Sequence, residues 1–451
     1  MNQYEIKNIN ISCLIENKEL IRLLKEISSQ NYRRIISFDE FELMKSKLDD
    51  KNFDLSKIDD KKERKAIACF VGSAIGDAAG VHTEFSYLDY DSYKFHNFDE
   101  LKKHFGEKRC EIGEFSDDTS MALCVADSIF LNKEFDPVDL RKRFLLWWHY
   151  GYNNCRNGKS SFGLGANINQ SFYEFIKSDF NSKYFNNPYE ETNGNGSLMR
   201  NAPIPIMFAK SKDSEEMQKN IILCMEYAKN QSRTTHNGRE AYECCMVLSN
   251  LIIRNINNQD EISSQELTQE QIQKQIQKLI QKPTQTPTQY LIDKHLKEIS
   301  SDKYYKYCYS VKKLIKSEKE DQEMVKKYLD ENKYIKKFSK DNRDRDWNWK
   351  NKDFKYSPTR AKLMPDYIGS YCMDALSMAL HIVYYSTSSK EAIFKAVNMN
   401  GDADTVACIV GQIAGSIWGL DDDLIDLYKI VSKFDKSKCA IMAHLLYNKN
   451  N

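Results

Sequence analysis

Ala66, Ile67, Phe70, Val71, Ala74, Ile75 and Ala78 recur at steps of three and four residues, the spacing that lines one face of an α-helix. The same spacing returns at about 118–131, 137–150, 215–229, 238–255, 371–386, 388–398 and 403–418. No stretch alternates convincingly with the period of two that a half-buried strand requires. Asp136 and Pro137 read as the N-cap and first-turn proline of one helix. A chain punctuated in this way packs helix on helix, so the fold class is all-α, a multi-helix bundle.

The core must be diluted by polar chain. The 451 residues are 41% hydrophobic, yet mean hydropathy is -0.64. The polar excess is concentrated in two places. Residues 1–60 lack strong period apart from a short helix near Leu20 to Ile27, and read as an N-terminal extension. Residues 61–450 read as one domain interrupted at about 256–357 by a Gln/Lys-rich insertion. Its first part, "QEQIQKQIQKLIQKPTQTPTQ", has Pro283 and Pro287 to end any helix there. The remainder, with "DRDWNWKNKDFKY", mixes lysines, acids and aromatics and reads as a solvated helical insertion, not a base-stacking surface.

Sixty-six basic and 65 acidic residues leave a net charge of +1, so no overall field favours nucleic acid or an anionic membrane. Twelve cysteines are scattered without a C-x-x-C pair, which argues against zinc or a disulfide framework and for a reducing compartment. The first twenty residues lack the pattern of a signal peptide. The longest apolar stretch, Cys408 to Leu420, contains Gln412 and three glycines and is too short to span a bilayer. A cytoplasmic monomer without nucleic acid or membrane partners is expected.

Two acidic trios carry the chemistry. "GEFSDDTSMAL" holds Ser116, Asp117 and Asp118, and "NGDADTV" holds Asp402, Asp404 and Thr405, each directly before an apolar run. Such residues at a helix start can be caps, since side-chain oxygens satisfy the unpaired amides of the first turn. They can also be metal ligands, because each trio has more acid than one cap uses. Oxygen donors alone suit Mg²⁺ or Mn²⁺ better than zinc, and four aspartates carry charge for two ions. In "TNGNGSLMRNAPIPI", Gly194, Asn195 and Gly196 precede Arg200, an ordinary turn or a cradle of amides and guanidinium for a diphosphate. "KSSFGLGANI" adds a second loop at Gly163 and Gly165, and His236 in "SRTTHNGREA" stands before a helix as a cap, a core residue or a ligand contact.

The order and wording of six stretches resemble the ADP-ribosylglycohydrolase family: "IGDAAGVHTEF", "GEFSDDTSMALCVADSI", "GNGSLMRNAPIPI", "SRTTHNGREA", "GSYCMDALSMAL" and "KAVNMNGDADTVACIVGQIAGSIWG". The resemblance covers roughly 63–255 and 358–447. It implies an orthogonal bundle with two Mg²⁺ or Mn²⁺ ions at the base of an ADP-ribose cleft. By motif, Ser116, Asp117, Asp118, Asp402, Asp404 and Thr405 correspond to the metal shell, and Glu84 to an acid lying over it. Either Glu84 or Asp118 would act as the catalytic carboxylate. Gly163, Gly165, Gly194, Asn195, Gly196, Arg200, His236, Ser370 and Tyr371 would face the substrate. That substrate is an ADP-ribosylated protein, arginine-linked first, or a small ADP-ribosyl conjugate. One departure is "FGLG" where relatives often have F-D-I-G, which leaves Gly163 in place of an aspartate. The rival readings are a non-catalytic ADP-ribose-binding or structural member of the fold, and a two-metal phosphoesterase. The intact trios count against the first and the absence of histidine ligands against the second.

Overall fold

A computed structural model describes residues 54–85, 99–100, 110–132, 134–156, 161–187, 193–258, 285–321, 323–324, 345–354 and 368–449. These residues form fourteen α-helices and, in place of a sheet, two isolated β-bridges. In chain order the helices are α1 (Lys61–Gly80), α2 (Asp117–Leu131), α3 (Pro137–Tyr150), α4 (Ala166–Lys177), α5 (Pro203–Met207), α6 (Ser214–Arg233) and α7 (Arg239–Asn257). Then follow α8 (Pro287–Ser300), α9 (Tyr309–Lys316), α10 (Cys372–Tyr384), α11 (Ser389–Val397), α12 (Ala403–Trp418), α13 (Asp422–Asp435) and α14 (Lys438–Tyr447). The all-α expectation holds.

The centre of the bundle is the antiparallel pair α1 and α12, which approach almost backbone to backbone. A Cβ built on Gly76 would lie 2.1 Å from the Ala407 carbonyl oxygen, one on Gly411 2.0 Å from the Gly72 oxygen, and one on Gly415 2.1 Å from the Ala68 oxygen. Small residues four apart on both helices form one continuous stripe, and larger side chains there would push the helices apart. Both helices are buried over most of their length, so this pair is the floor on which the others stand. The register matters because it brings the C-terminal end of α1 to the N-terminal end of α12.

Local signals place the helix starts. Asp136 accepts hydrogen bonds from the Val138 and Asp139 amides with Pro137 at the first turn, and Asp60 caps α1 through the Lys62 and Glu63 amides. Pro287 corrects an expectation: it begins α8, with Thr286 and Gln289 closing a reciprocal capping box. A proline at the first helical position gives up an amide that would be unpaired anyway. The glutamine-rich residues up to 284 and the N-terminal residues 1–53 lie outside the described residues, with the helix expected near Leu20 to Ile27.

The described parts of 285–354 are not a solvated appendage. Leu291, Ile292, Leu296 and Ile299 of α8 are buried, as are Val311, Leu314 and Ile315 of α9, and Trp347 and Trp349 rank among the most deeply buried large side chains. Trp349 donates its indole N–H to the Leu314 carbonyl at 2.7 Å, which satisfies the one polar group that burying the ring would strand. These aromatics, expected at the surface, are core. No helix among the described residues is long and apolar enough to cross a membrane.

Candidate functional site

The two trios meet. Asp118, Asp404 and Asp77 each offer a carboxylate oxygen within 4.8 Å of the others, and so do Glu84, Asp402 and Asp404, with Asp404 common to both groups. Asp77 comes from the last turn of α1, Glu84 from the chain just after it, Asp118 from the first turn of α2, and Asp402 and Asp404 from the N-cap and first turn of α12.

The hydrogen bonds at α2 show which side chains cap it. Ser116 is the N-cap, accepting from the Asp118 amide, and it donates its hydroxyl to Asp118 Oδ2 at 2.9 Å. Asp77, reaching across from α1, accepts from the Ser116 and Thr119 amides at 2.9 Å each and from the Thr119 hydroxyl at 2.6 Å. The first turn of α2 is thus capped by Ser116 and Asp77, leaving the carboxylates of Asp117 and Asp118 surplus to capping. Among the described residues Asp118 Oδ1 is buried with no hydrogen-bond partner, a costly state for a carboxylate oxygen unless a cation meets it. At α12, Asp402 occupies the N-cap position without making a cap bond and instead accepts from Asn195 Nδ2 at 2.9 Å. Asp404 Oδ1 accepts from the Thr405 amide at 2.8 Å. Thr405 stands near both Asp118 and Asp402 and lowers the pKa of each, so it lies where one trio meets the other.

Burial raises the pKa of each of these aspartates, and crowding adds to it at Asp117, Asp118 and Asp404. Asp118 is pushed well above the usual carboxylate range by desolvation, then by Asp77 and Asp402; Asp404 by desolvation, then by Glu84 and Asp118; Asp117 by desolvation, then by Asp118 and Asp77. Such a cluster is repulsive when ionised, and a divalent cation among the carboxylates would offset that repulsion and favour their charged forms. The donor set is all oxygen, which fits Mg²⁺ or Mn²⁺. In sequence Asp77 is not singled out, standing among the small residues of "IGDAAG". What marks it in the fold is a fully buried carboxylate packed beside two others.

Asp117 stands beside these groups without belonging to either. The backbone of Gly163 presses against it: a Cβ at Gly163 would lie 1.9 Å from Asp117 Oδ1, and φ is +86°. A side chain at 163 would have to displace the Asp117 carboxylate, so the glycine of "FGLG" is required by its neighbour here.

Glu84 follows α1 on a short strap. The Thr83 hydroxyl donates to the Val397 carbonyl at 2.7 Å, and the Phe85 amide donates to the Gly401 carbonyl at 2.7 Å. The strap is thereby fastened to the segment that carries Asp402 and Asp404. Glu84 is half-buried there, the least buried of the five acids in the two groups.

The glycine loop is fastened too. The Asn195 amide donates to the Ser370 carbonyl at 2.9 Å, the Cys372 amide to the Asn193 carbonyl at 3.0 Å, and Gly194 pairs with Tyr371 in an antiparallel bridge. Asn195 Nδ2 is shared between Asp402 and the Gly369 carbonyl. His236 packs under the loop, so that a Cβ on Gly196 would lie 2.8 Å from its Cε1. Burial and then the neighbouring Arg200 push its pKa down to about 3, and the ring is neutral. Gly165 is the N-cap residue of α4.

Arg200 requires a correction. Its side chain is completely buried over the Phe144 ring. It donates Nε to Gln231 Oε1 at 2.9 Å and Nη2 to the Gln231 carbonyl and the Thr235 hydroxyl. The guanidinium braces the end of α6 from within and presents no surface to a diphosphate.

Comparison with known proteins identifies the family. A family model described as ADP-ribosylglycohydrolase matches residues 58–432. ADP-ribosylarginine hydrolase Tri1 of Serratia proteamaculans is 26% identical over 355 residues, 79% of this chain and 72% of that protein. ADP-ribosyl-dinitrogen reductase glycohydrolase of Rhodospirillum rubrum is 20% identical over 363 residues, 79% of this chain and 87% of its own. A solved ADP-ribosylglycohydrolase-related protein complex aligns with a TM-score of 0.55 and 20% identity over 87% of this chain and 99% of that one.

Proposed function

Because the chain belongs to the ADP-ribosylglycohydrolase family, we propose that it is a metal-dependent hydrolase that frees ADP-ribose from modified protein side chains, arginine first among them. The observation that carries this reading is the convergence of five acids from distant parts of the sequence around a buried, unpartnered Asp118 oxygen.

Asp77, Asp118 and Asp404 would hold one Mg²⁺ or Mn²⁺, and Asp402 and Asp404 a second, with Ser116, Asp117 and Thr405 beside them and Glu84 lying over them. Such ions, when bound, polarise ligand oxygens and make a bound water acidic. The remaining work falls to the chain. Amides of the loop at Gly194 and Gly196 and of the loop at Gly163 and Gly165 would receive the diphosphate, as successive N–H groups in turns do for anions. Asn195 holds Asp402, and His236, being neutral, supports the loop by shape. Glu84, half-buried beside Asp402 and Asp404, would take a proton from the attacking water. The water oxygen bonds to the anomeric carbon, the bond from that carbon to the guanidine nitrogen breaks, and the nitrogen leaves with the proton that Glu84 took from the water, which restores the carboxylate. Asp118 is the alternative base, though its hydrogen bond from Ser116 and its depth suit holding a cation better.

The test is release of free ADP-ribose from arginine-linked, serine-linked and self-modified substrates, with and without EDTA. Release from the arginine conjugate that EDTA abolishes and Mg²⁺ or Mn²⁺ restores is the expected result. Binding of ADP-ribose without release from any substrate would leave the chain as a non-catalytic member of the fold.

A further inference from the structure

We propose that Arg345 is a positioning residue for the ligand-binding glycine loop, wired to it through Glu240. This rests on the function proposed above. Arg345 belongs to the 345–354 segment, outside every motif that carries the family resemblance, yet its side chain reaches the base of the site. Its Nη2 contacts Glu240 and donates to the Ser310 hydroxyl at 2.8 Å, while Nε donates to Glu320 Oε1 at 3.0 Å. Glu320 is buried, is held again by the Trp347 indole N–H at 2.6 Å, and donates its amide to the Arg345 carbonyl at 3.0 Å. The guanidinium is therefore fixed at both ends.

Glu240 is the hub. It is buried at the start of α7, accepts from the Tyr371 hydroxyl and from Asn193 Nδ2 at 3.2 Å, and pairs with Arg345. Asn193 in turn accepts the Ala241 amide on its side chain at 3.2 Å and the Cys372 amide on its backbone. One carboxylate thus joins α7, the residue that opens the glycine loop and the residue that opens α10. Burial alone would raise the pKa of Glu240, but Arg345 and then Tyr371 outweigh it and hold the group below its ordinary value. An unpaired charge at that depth is expensive, and Arg345 is the cation that meets it. A guanidinium fork is suited to this role because Nε meets Glu320 while Nη2 meets Glu240 and Ser310, a spread over two nitrogens of one rigid plane that the compact charge of an ammonium does not reproduce.

The consequence is that loss of Arg345 would leave Glu240 uncompensated, and the clamp that sets Gly194, Asn195 and Gly196 against Ser370 and Tyr371 would loosen. The acids of the metal groups would be untouched directly. Binding should suffer more than turnover, by roughly ten- to hundred-fold, the range that misplacing a positioning group costs.

The experiment compares wild type, Arg345→Lys and Arg345→Met as full chains. Calorimetry with ADP-ribose and steady-state kinetics give Kd, KM and kcat, and amide hydrogen exchange of the ligand-free proteins reports residues 193–198 against α13 as an internal reference. The expected result is faster exchange at 193–198 with α13 unchanged, raised Kd and KM, and kcat within a few-fold of wild type, with the lysine variant between the other two. Arg345→Lys keeps a cation in place and serves if Arg345→Met does not fold. Unchanged protection at 193–198 in both variants would overturn the proposal, as would equal losses across α13. Altered protection in a protein whose wild type binds no ADP-ribose would uphold the positioning role and remove the ligand assigned above.

Discussion

Gly80, the last residue of α1, lies so close to α12 that a Cβ built on it would stand 2.3 Å from the Cα of Asp404. The acid common to both carboxylate groups is therefore set in place by a glycine in another helix. Gly80→Ala should force the two helices apart at that end, costing about 1–3 kcal/mol as overpacking does, and should weaken Mg²⁺ binding by moving Asp404. Gly165→Ala is the control, since the nearest atom to its Cβ is Ile168 Cδ1 at 3.8 Å. Equal melting temperatures for wild type and Gly80→Ala would show that the helices yield freely there.

Asp118→Ala and Asp404→Ala should nearly abolish hydrolysis while the fold persists. In EDTA each variant should melt no lower than wild type, because one member of a repelling group has gone. Adding Mg²⁺ should stabilise wild type by mass action and the variants little or not at all. Thermal melts with and without Mg²⁺ check both statements, and a variant with a wild-type metal response would remove its residue from the ligand set.

The same cluster gives the metal-free protein an unusual pH response. Asp117, Asp118 and Asp404 are raised in the folded state above the ordinary 3.8. The native state then binds more protons than the unfolded chain, so these groups contribute stability that is complete below about 3.8 and is lost as pH rises toward their folded values. In EDTA the melting temperature should fall as pH is raised from the ordinary carboxylate range to neutrality, and saturating Mg²⁺ should flatten that fall. A metal-free melting temperature that climbs over the same interval would show that the cluster does not dominate.

Glu84→Gln keeps the shape of the strap and removes the carboxylate base, a loss that general catalysis places at roughly 10² to 10⁴ in rate. Binding of ADP-ribose should survive, because the glycine loop is fastened by other residues. Single-turnover kinetics beside calorimetry with ADP-ribose separate the two effects. Normal turnover would make Glu84 structural and leave Asp118 as the base.

Much of the architecture can be read from local pattern. The starts of α3 and α12 are expected at 137 and 403 and lie there, α3 through its Asp136 cap and α12 through its apolar period, because both signals are properties of neighbouring residues. The roles that elude sequence reading depend on partners far away. Arg200 follows a glycine turn in sequence, but the space it fills lies between Phe144 and the end of α6. Trp347 and Trp349 sit among lysines and acids, and their burial depends on α9 and on Glu320. Asp77 is not singled out in sequence because its contacts to α2 cross 39 and 42 positions. The spacing of Gly72, Gly76 and Gly80 against Ala407, Gly411 and Gly415 is a legible signal of close helix approach, one that a reading of hydropathy passes over.

The pairing of α1 with α12 also imposes an order on folding. Ser73 and Cys408 touch across 335 positions of sequence, close to opposite ends of the domain. During synthesis α1 emerges early with an apolar face and a buried-type aspartate, and its partner surface does not exist until nearly the whole domain has been made. Contacts of such long range are slow to form and leave partly built chains adhesive. The carboxylate cluster can assemble only in the final step, so a nascent or truncated chain should neither capture metal nor hydrolyse anything before it is complete.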